Sequence, residues 1–350
     1  MVKEQKKIDI RSLSLIELNE QLKKLDEKSY RAKQIYEWLW QKSCTNFDEM
    51  SNLSLSLRES LKENFVINAV SLLKSQVSND RTIKNAFKLA DSKIIEGVLI
   101  PTTDRMTACV SSQVGCSLSC KFCATGYMDR ERNLNADEIY DQVVLIARQA
   151  LDNYNVALSN IVYMGMGEPL LNYSNVLKSI DRITSPDGLN MSSKRITVST
   201  AGIAKMIKKL GDDEVKFNLA LSLHAANDEK RNEIMPINEQ NTLEVLAEAL
   251  KYYYAKTRNA VTYEYIVFDN FNDELSDAAE LVEFCKHIPC KVNLIEYNPI
   301  VFADFENAQG DKIDRFAEYL QEFGIVTNIR RSRGKDIDAA CGQLAVKEKN

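Results

Sequence analysis

Apolar residues in the first stretch of the chain recur every three or four positions. In SLSLIELNEQLKKL and SYRAKQIYEWLWQ this period predicts amphipathic helices, with Ser12 or Ser29 placed to cap their starts. Residues 1–66 therefore read as a small N-terminal helical accessory domain. Over 67–104 the pattern switches to alternation, in AVSLLKSQV, TIKNAFKLA and KIIEGVLIP, with SND as a turn signal between the first two. This predicts a short antiparallel β extension that links the helical domain to the larger C-terminal part of the chain.

From 105 to 350 β-rich runs alternate with helical stretches. The runs are MTACVSS, NIVYMGM, RITVSTAG, KFNLALSLH, VTYEYIVF and KVNLIEYNP; NADEIYDQVVLIARQAL and NTLEVLAEALKYYYAK are typical of the stretches between them. Such repeats predict parallel strands joined by right-handed crossovers. Eight repeats close a barrel and six leave it open, so the predicted fold is α/β with a partial (βα)6 split barrel as its core. Chemistry in such folds gathers at the C-terminal ends of the strands. VGC, GEP, STAG, SLH and YNP all follow strand runs, which points to a single site.

Composition narrows the setting. The 350 residues are 45% hydrophobic, enough for a large core, and no stretch approaches the roughly 18 apolar residues of a membrane span. The charged start, MVKEQKKIDIRSLSL, lacks the apolar run of a signal peptide, so a soluble cytoplasmic protein is expected. In a reducing compartment eight cysteines point to metal or redox chemistry rather than a disulfide framework. The net charge of −5 gives no global footprint for nucleic acid. Local basic runs exist (Arg330, Arg331, Arg333 and Lys335; Lys23, Lys24, Lys28, Arg31 and Lys33; Lys205, Lys208 and Lys209), and solvated faces are the plain reading of each.

VGCSLSCKFCATG sets Cys116, Cys120 and Cys123 in one short loop. Four thiolates or imidazoles would close a tetrahedral zinc site, whereas three leave a metal position open. Three readings are available: a [4Fe-4S] cluster with one iron free for a small molecule, a zinc site that recruits Cys109, or three unconnected thiols. Elsewhere, Cys341 sits between Ala340 and Gly342, which leaves its thiol sterically open, although a lone cysteine such as Cys109 or Cys341 is usually a small buried hydrophobe. His224 by itself reads as a core histidine, and Glu96 is one acid among apolar strand neighbours.

CSLSCKFC after the first strand of such a domain resembles the cluster loop of the radical S-adenosylmethionine enzymes. Together with MGMGEPLLN, SLHA, MPIN, YNP and DIDAACGQL it resembles the bacterial adenine-C2 methyltransferases of ribosomal and transfer RNA, over nearly the whole chain from about residue 29. The resemblance implies a [4Fe-4S] cluster on Cys116, Cys120 and Cys123, and S-adenosylmethionine used twice per turnover. It places Gly167, Glu168, Ser199, Ser222, Leu223, His224 and Asn298 around that cofactor, with Glu168 on its ammonium. It implies 23S rRNA and tRNA as partners, and a reducing electron donor such as flavodoxin or ferredoxin.

The chemistry implied by the resemblance answers a problem. C2 of adenine lies between two ring nitrogens and is electron-poor, so displacement on a sulfonium fails there. Instead Cys341 is first methylated; a second cofactor is cleaved reductively, and its deoxyadenosyl radical takes a hydrogen from the S-methyl group. The carbon radical adds to C2, Glu96 accepts the C2 proton, and Cys109 attacks Cys341 to release the product as a disulfide forms. The target base must leave its stack, basic residues near Arg130, Arg132 and Arg330 can hold phosphates, and the helical domain can read RNA shape. Two rivals stay open: the related adenine-C8 methyltransferases, and a non-catalytic iron-sulfur RNA-binding protein.

Overall fold

Burial explains the N-terminal helices. The computed structural model describes residues 7–346, so the outer ends of the first and last expected units, 1–6 and 347–350, lie outside the described residues. Helices α1 (Leu15–Lys24), α2 (Tyr30–Trp40) and α3 (Leu55–Asn64) turn Leu18, Leu22, Ile35, Leu39, Leu57 and Leu61 inward. Ser14, not Ser12, caps α1. Its hydroxyl accepts from the Glu17 N–H at 3.2 Å while Glu17 Oε2 accepts from the Ser14 N–H at 2.7 Å, satisfying two otherwise unpaired amides. Ser12 donates to the Asp9 carbonyl in the preceding turn, and Ser29 makes no capping bond at α2.

Beyond the helices lies one ten-stranded sheet, with its strands side by side in chain order. They are β1 (Ser71–Val77), β2 (Ile83–Lys88), β3 (Ile94–Pro101), β4 (Met106–Cys109), β5 (Asn160–Tyr163), β6 (Ile196–Thr200), β7 (Asn218–Ser222), β8 (Val261–Val267), β9 (Cys290–Glu296) and β10 (Val326–Arg330). Pairing is antiparallel from β1 to β4 and parallel from β4 to β10. The crossover helices are α4 (Ala136–Tyr154), α5 (Tyr173–Thr184), α6 (Ala204–Asp212), α8 (Leu243–Thr257), α9 (Leu275–Cys285) and α10 (Lys312–Glu322), with the short α7 (Asp228–Ile234) before α8. The six predicted strand-helix repeats are thus present, from β4 to α10.

Two features go beyond the repeat pattern. Strand β10 is a seventh parallel strand, paired to β9 with Arg330 opposite Ile295, where the sequence shows only the start of a basic run. The antiparallel strands also continue the barrel sheet directly: Val98 of β3 pairs with Cys109 of β4. Glu96, two residues from Val98, therefore lies on the same face of the sheet as Cys109.

Arg11 ties the N-terminal segment to α4. Its buried guanidinium meets Asp141 at 2.7 Å, Asp137 at 3.2 Å and the Asn68 carbonyl at 2.9 Å. Burial pushes the Asp137 carboxyl up to about 6, with Arg11 pulling the other way. Arg11→Ala strands two buried carboxylates and is expected to lower stability by about 3–5 kcal/mol, read from the urea midpoint. Because Asp137 titrates higher folded than unfolded (about 3.9), its contribution is complete at low pH and is lost as pH rises through about 6. Removing Arg11 extends that loss upward, so the variant's deficit should be larger near pH 8 than near pH 5.

Candidate active site

The three-cysteine loop comes after β4 and sits on its own apolar bed. Leu118 and Phe122 pack with Ile234, Met235 and Phe268, leaving Cys116, Cys120 and Cys123 half-buried along one pocket. Local backbone bonds set the curve: the Lys121 N–H donates to Ile234 O at 3.0 Å and the Cys123 N–H to Cys120 O at 3.2 Å. Gly126 is needed because a Cβ there would stand 2.5 Å from the Cys120 carbonyl oxygen. Burial raises all three thiols, Cys116 to about 11. They become ligands only by losing those protons to a metal.

Among the described residues no three Cys, His, Asp or Glu side chains converge closely enough to hold a single ion. Cys109 does not join the loop as a fourth ligand; it lines a neighbouring cavity with Cys341 and Cys123. Zinc in a structural site takes four ligands around one point, whereas three cysteines in one loop leave a position open.

Strand ends supply the other walls. Glu168 is buried after β5, where its oxygens accept from the Ala201 N–H at 2.8 Å and the Leu170 N–H at 3.0 Å. Burial raises its pKa and those amides oppose the rise. Each carboxylate oxygen can accept a second bond, so capacity remains for a ligand. Gly167 takes φ +91°, and a Cβ would lie 2.4 Å from the Gln113 side chain, so this glycine serves local packing as well as the pocket. Ser199 and Ser222 bring their hydroxyls within 3.3 Å of each other on that wall.

His224 is both a core histidine and a pocket residue. Its Nδ1 accepts from the Ile266 N–H at 3.1 Å, and Phe122 meets its ring edge-on at 4.7 Å. Burial, with Arg231 adding to it, lowers its pKa to about 3, so the ring is neutral and, with Nδ1 accepting, carries its proton on Nε2. The Leu223 side chain, unlike those of Ser222 and His224, is buried in the main core, which leaves its backbone as the part near the pocket wall. Asn298 lies beneath the C-terminal segment. Its Nδ2 donates to the Cys341 carbonyl at 3.1 Å, while its buried Oδ1 has no partner among the described residues.

Cys109 is buried at the end of β4 and Cys341 is exposed on the C-terminal segment, yet both line one cavity. Burial pushes Cys109 up to about 12, with the Cys341 thiol adding to the rise. Desolvation also raises Cys341, and the Arg330 guanidinium pulls it back down. Arg330, at the end of the unpredicted β10, lines both cavities and pairs with the buried Glu264 at 3.1 Å. Glu264 had a signal in the sequence, a single acid inside the apolar run VTYEYIVF. Arg330 had none beyond its charge.

Glu96 is brought close but not into this cavity. It is buried in an adjoining one, ion-paired to Lys84 at 3.0 Å, with Oε2 accepting from the Ala345 N–H at 2.9 Å. Part of the basic character is spent on carboxylates: Arg331 and Lys335 both bind Glu296 at 2.7 Å, and Arg132 binds Glu138 and Asp91.

The model of the ribosomal RNA large subunit methyltransferase N-terminal domain matches residues 8–67, and that of the radical SAM superfamily matches 110–282. A probable dual-specificity RNA methyltransferase RlmN from Cytophaga hutchinsonii is 63% identical over 343 residues, covering 98% of this chain and 94% of the relative. The dual-specificity RNA methyltransferase RlmN of Campylobacter fetus is 41% identical over 350 residues, covering 96% and 99%. The chain belongs to the RlmN family of RNA methyltransferases. A crystal structure of a radical SAM methyltransferase from Sphaerobacter thermophilus superposes with a TM-score of 0.91 at 39% identity, covering 96% of this chain and 99% of that one.

As a radical SAM enzyme the family uses a [4Fe-4S] cluster and S-adenosylmethionine, and the site fits them. Three thiols line one pocket, and the Glu168 carboxylate faces the same pocket with accepting capacity unspent. Among the described residues no helix is long and apolar enough to cross a membrane.

Replacing Arg330 by Gln removes the cation that opposes the rise of the Cys341 thiol. Alkylation of Cys341, monitored by peptide mass spectrometry across pH, should therefore shift to higher pH in Arg330→Gln, while an unchanged profile would show that Arg330 does not act on this thiol.

Proposed function

We propose that this protein methylates C2 of an adenine in both 23S rRNA and tRNA, with Cys341 as the methyl-carrying residue and Cys109 as the thiol that frees the product. One observation carries the reading: two cysteines 232 positions apart in the sequence line a single cavity, against the pocket of the three-cysteine loop. Cys123 belongs to both walls. The intact pair also favours an enzyme over a non-catalytic RNA-binding protein.

Cys116, Cys120 and Cys123 hold the cluster, while Glu168, Ser199, Ser222 and His224 offer hydrogen-bonding groups to S-adenosylmethionine. Once bound, these cofactors supply the methyl group and the one-electron chemistry that an electron-poor carbon requires. Gly167 leaves room at the turn. Asn298 acts from beneath, fixing the Cys341 backbone.

The residues then divide the work. Cys341, exposed at the cavity mouth, carries the methyl carbon to a base that has left its stack. Arg330 favours its thiolate before methylation. Bond formation at C2 ties the base to Cys341; the one electron left over from radical addition would return to the bound cofactors, and loss of the C2 proton to Glu96 prepares release. Glu96 now accepts from Ala345, so the segment after Cys341 must shift for the carboxylate to reach the base. Cys109, giving up its proton, finally attacks the Cys341 sulfur; that sulfur's bond to the product carbon breaks, the electron pair passes to that carbon and the base, a proton completes the methyl group, and the two cysteines are left as a disulfide.

The N-terminal helices are the element for recognising folded RNA by shape. Because Arg132, Arg331 and Lys335 are already paired, phosphate contacts fall to cations outside those pairs, such as Arg130. A flavodoxin or ferredoxin is the reductant in this reading, and the cytoplasm the setting.

The test is nucleoside mass spectrometry after anaerobic incubation of reconstituted protein with a 23S rRNA fragment or tRNA, S-adenosylmethionine and reductant. Wild type should give 2-methyladenosine. Cys341→Ala should give none, and Cys109→Ala should accumulate RNA covalently bound to Cys341. Formation of 8-methyladenosine would move the chain to the C8 reaction.

A further inference from the structure

One groove near the site has no role in the chemistry above. It holds about 800 Å³ and is lined by Tyr127, Met128, Val301, Phe302, Gln343 and Ala345, among others. Its apolar residues stand out into solvent: Val301 is 88% exposed, Phe302 58% and Tyr127 47%. Tyr127 and Phe302 come from separate loops and stack with centroids 5.1 Å apart and planes 25° from parallel. Single exposed apolar residues need no explanation, but an aromatic pair lining a groove beside a reactive thiol does.

The pair is built in from both sides. Tyr127 ends the cluster loop, and its hydroxyl donates to the Lys121 carbonyl at 3.0 Å, which orients the ring. Phe302 lies between β9 and α10, four residues after Asn298, the residue that holds the Cys341 carbonyl. The remaining wall is the C-terminal segment itself, where Gln343 donates to the Pro299 carbonyl at 3.1 Å. The groove is therefore continuous with the surface that presents Cys341. Lys121 and Arg130, both exposed, flank Tyr127 along the chain.

We infer that this groove is an RNA subsite, in which the Tyr127–Phe302 pair stacks against a nucleobase next to the target adenine. The inference rests on the function proposed above. Extruding one base leaves its neighbour without a stacking partner, and the lost stacking is recovered on an aromatic face at the point where the strand enters the site. Stacking suits any base, because each has a π-face, so one subsite serves two classes of RNA. The flanking cations meet the phosphates that accompany the stacked base.

The experiment uses reconstituted holoenzyme without reductant and an RNA hairpin with 2-aminopurine next to the target adenine. Binding of wild type should quench the fluorescence. Phe302→Ala and Tyr127→Ala should each weaken binding about tenfold and lose the quench, by the usual worth of one base-aromatic stack. Phe302→Trp retains a stacking face and should restore both, a rescue that a folding defect would not give. Unchanged affinity and full quenching in the double alanine variant would overturn the subsite. If wild type also yields 2-methyladenosine from that hairpin once reductant is added, the proposed function stands without it.

Discussion

The anchoring of the C-terminal segment over the open end of the sheet is the constraint on which the site depends. Residues 334–346 have little regular structure of their own, so their backbone polar groups must find partners elsewhere. They find them in every part of the site. The Gly334 N–H donates to Asp80 at the β1-β2 turn, the Cys341 carbonyl accepts from Asn298, and the Ala345 N–H donates to Glu96. The Gly342 carbonyl accepts from the Ala124 N–H at 2.7 Å and the Leu344 carbonyl from Thr125 at 2.6 Å, both in the cluster loop. Each bond is worth only about 1 kcal/mol net, but leaving a buried partner unmatched costs more, so the set fixes a register that a single bond would not.

That register gives the antiparallel strands their role. They add little to a barrel already carried by seven parallel strands, yet they supply Asp80 and Glu96, and their pairing with β4 sets the position of Cys109. The same sheet therefore carries one thiol on a rigid strand end and clamps the segment that carries the other. Rigidity suits the part proposed for Cys109, which is buried and protonated at rest. Exposure suits the part proposed for Cys341, which in that reading meets both cofactor and RNA.

Electrostatics then separate five thiols that composition alone makes equivalent. Burial raises all of them, but Arg330, held by Glu264 across β8 and β10, pulls Cys341 back toward the thiolate. The three loop cysteines share a pocket with Arg330, and Arg231 pulls Cys120 down, yet burial outweighs both and keeps all three thiols raised. Arg330 acts on Cys109 as well, so these two thiols differ mainly in burial, Cys109 being buried and Cys341 exposed.

The helices, the alternating strands and the six repeats were legible because backbone geometry imposes their periods on any chain that buries one face. The cluster cysteines were legible because their ligand spacing is local. Cys109, Cys341 and Glu96 came from likeness to a family, since nothing local distinguishes them. A motif marks a stretch, and within SLH it is the side chains of Ser222 and His224 that line the pocket while that of Leu223 enters the core. Strand β10 is short and mixed in polarity, so only its pairing with β9 identifies it, and with it Arg330 moves from a solvated run into the site. The sequence determined the elements and the residue types at strand ends; the tertiary structure decided which distant groups share a cavity, because convergence depends on strand order and on where a segment without its own hydrogen-bond ladder can satisfy its polar groups.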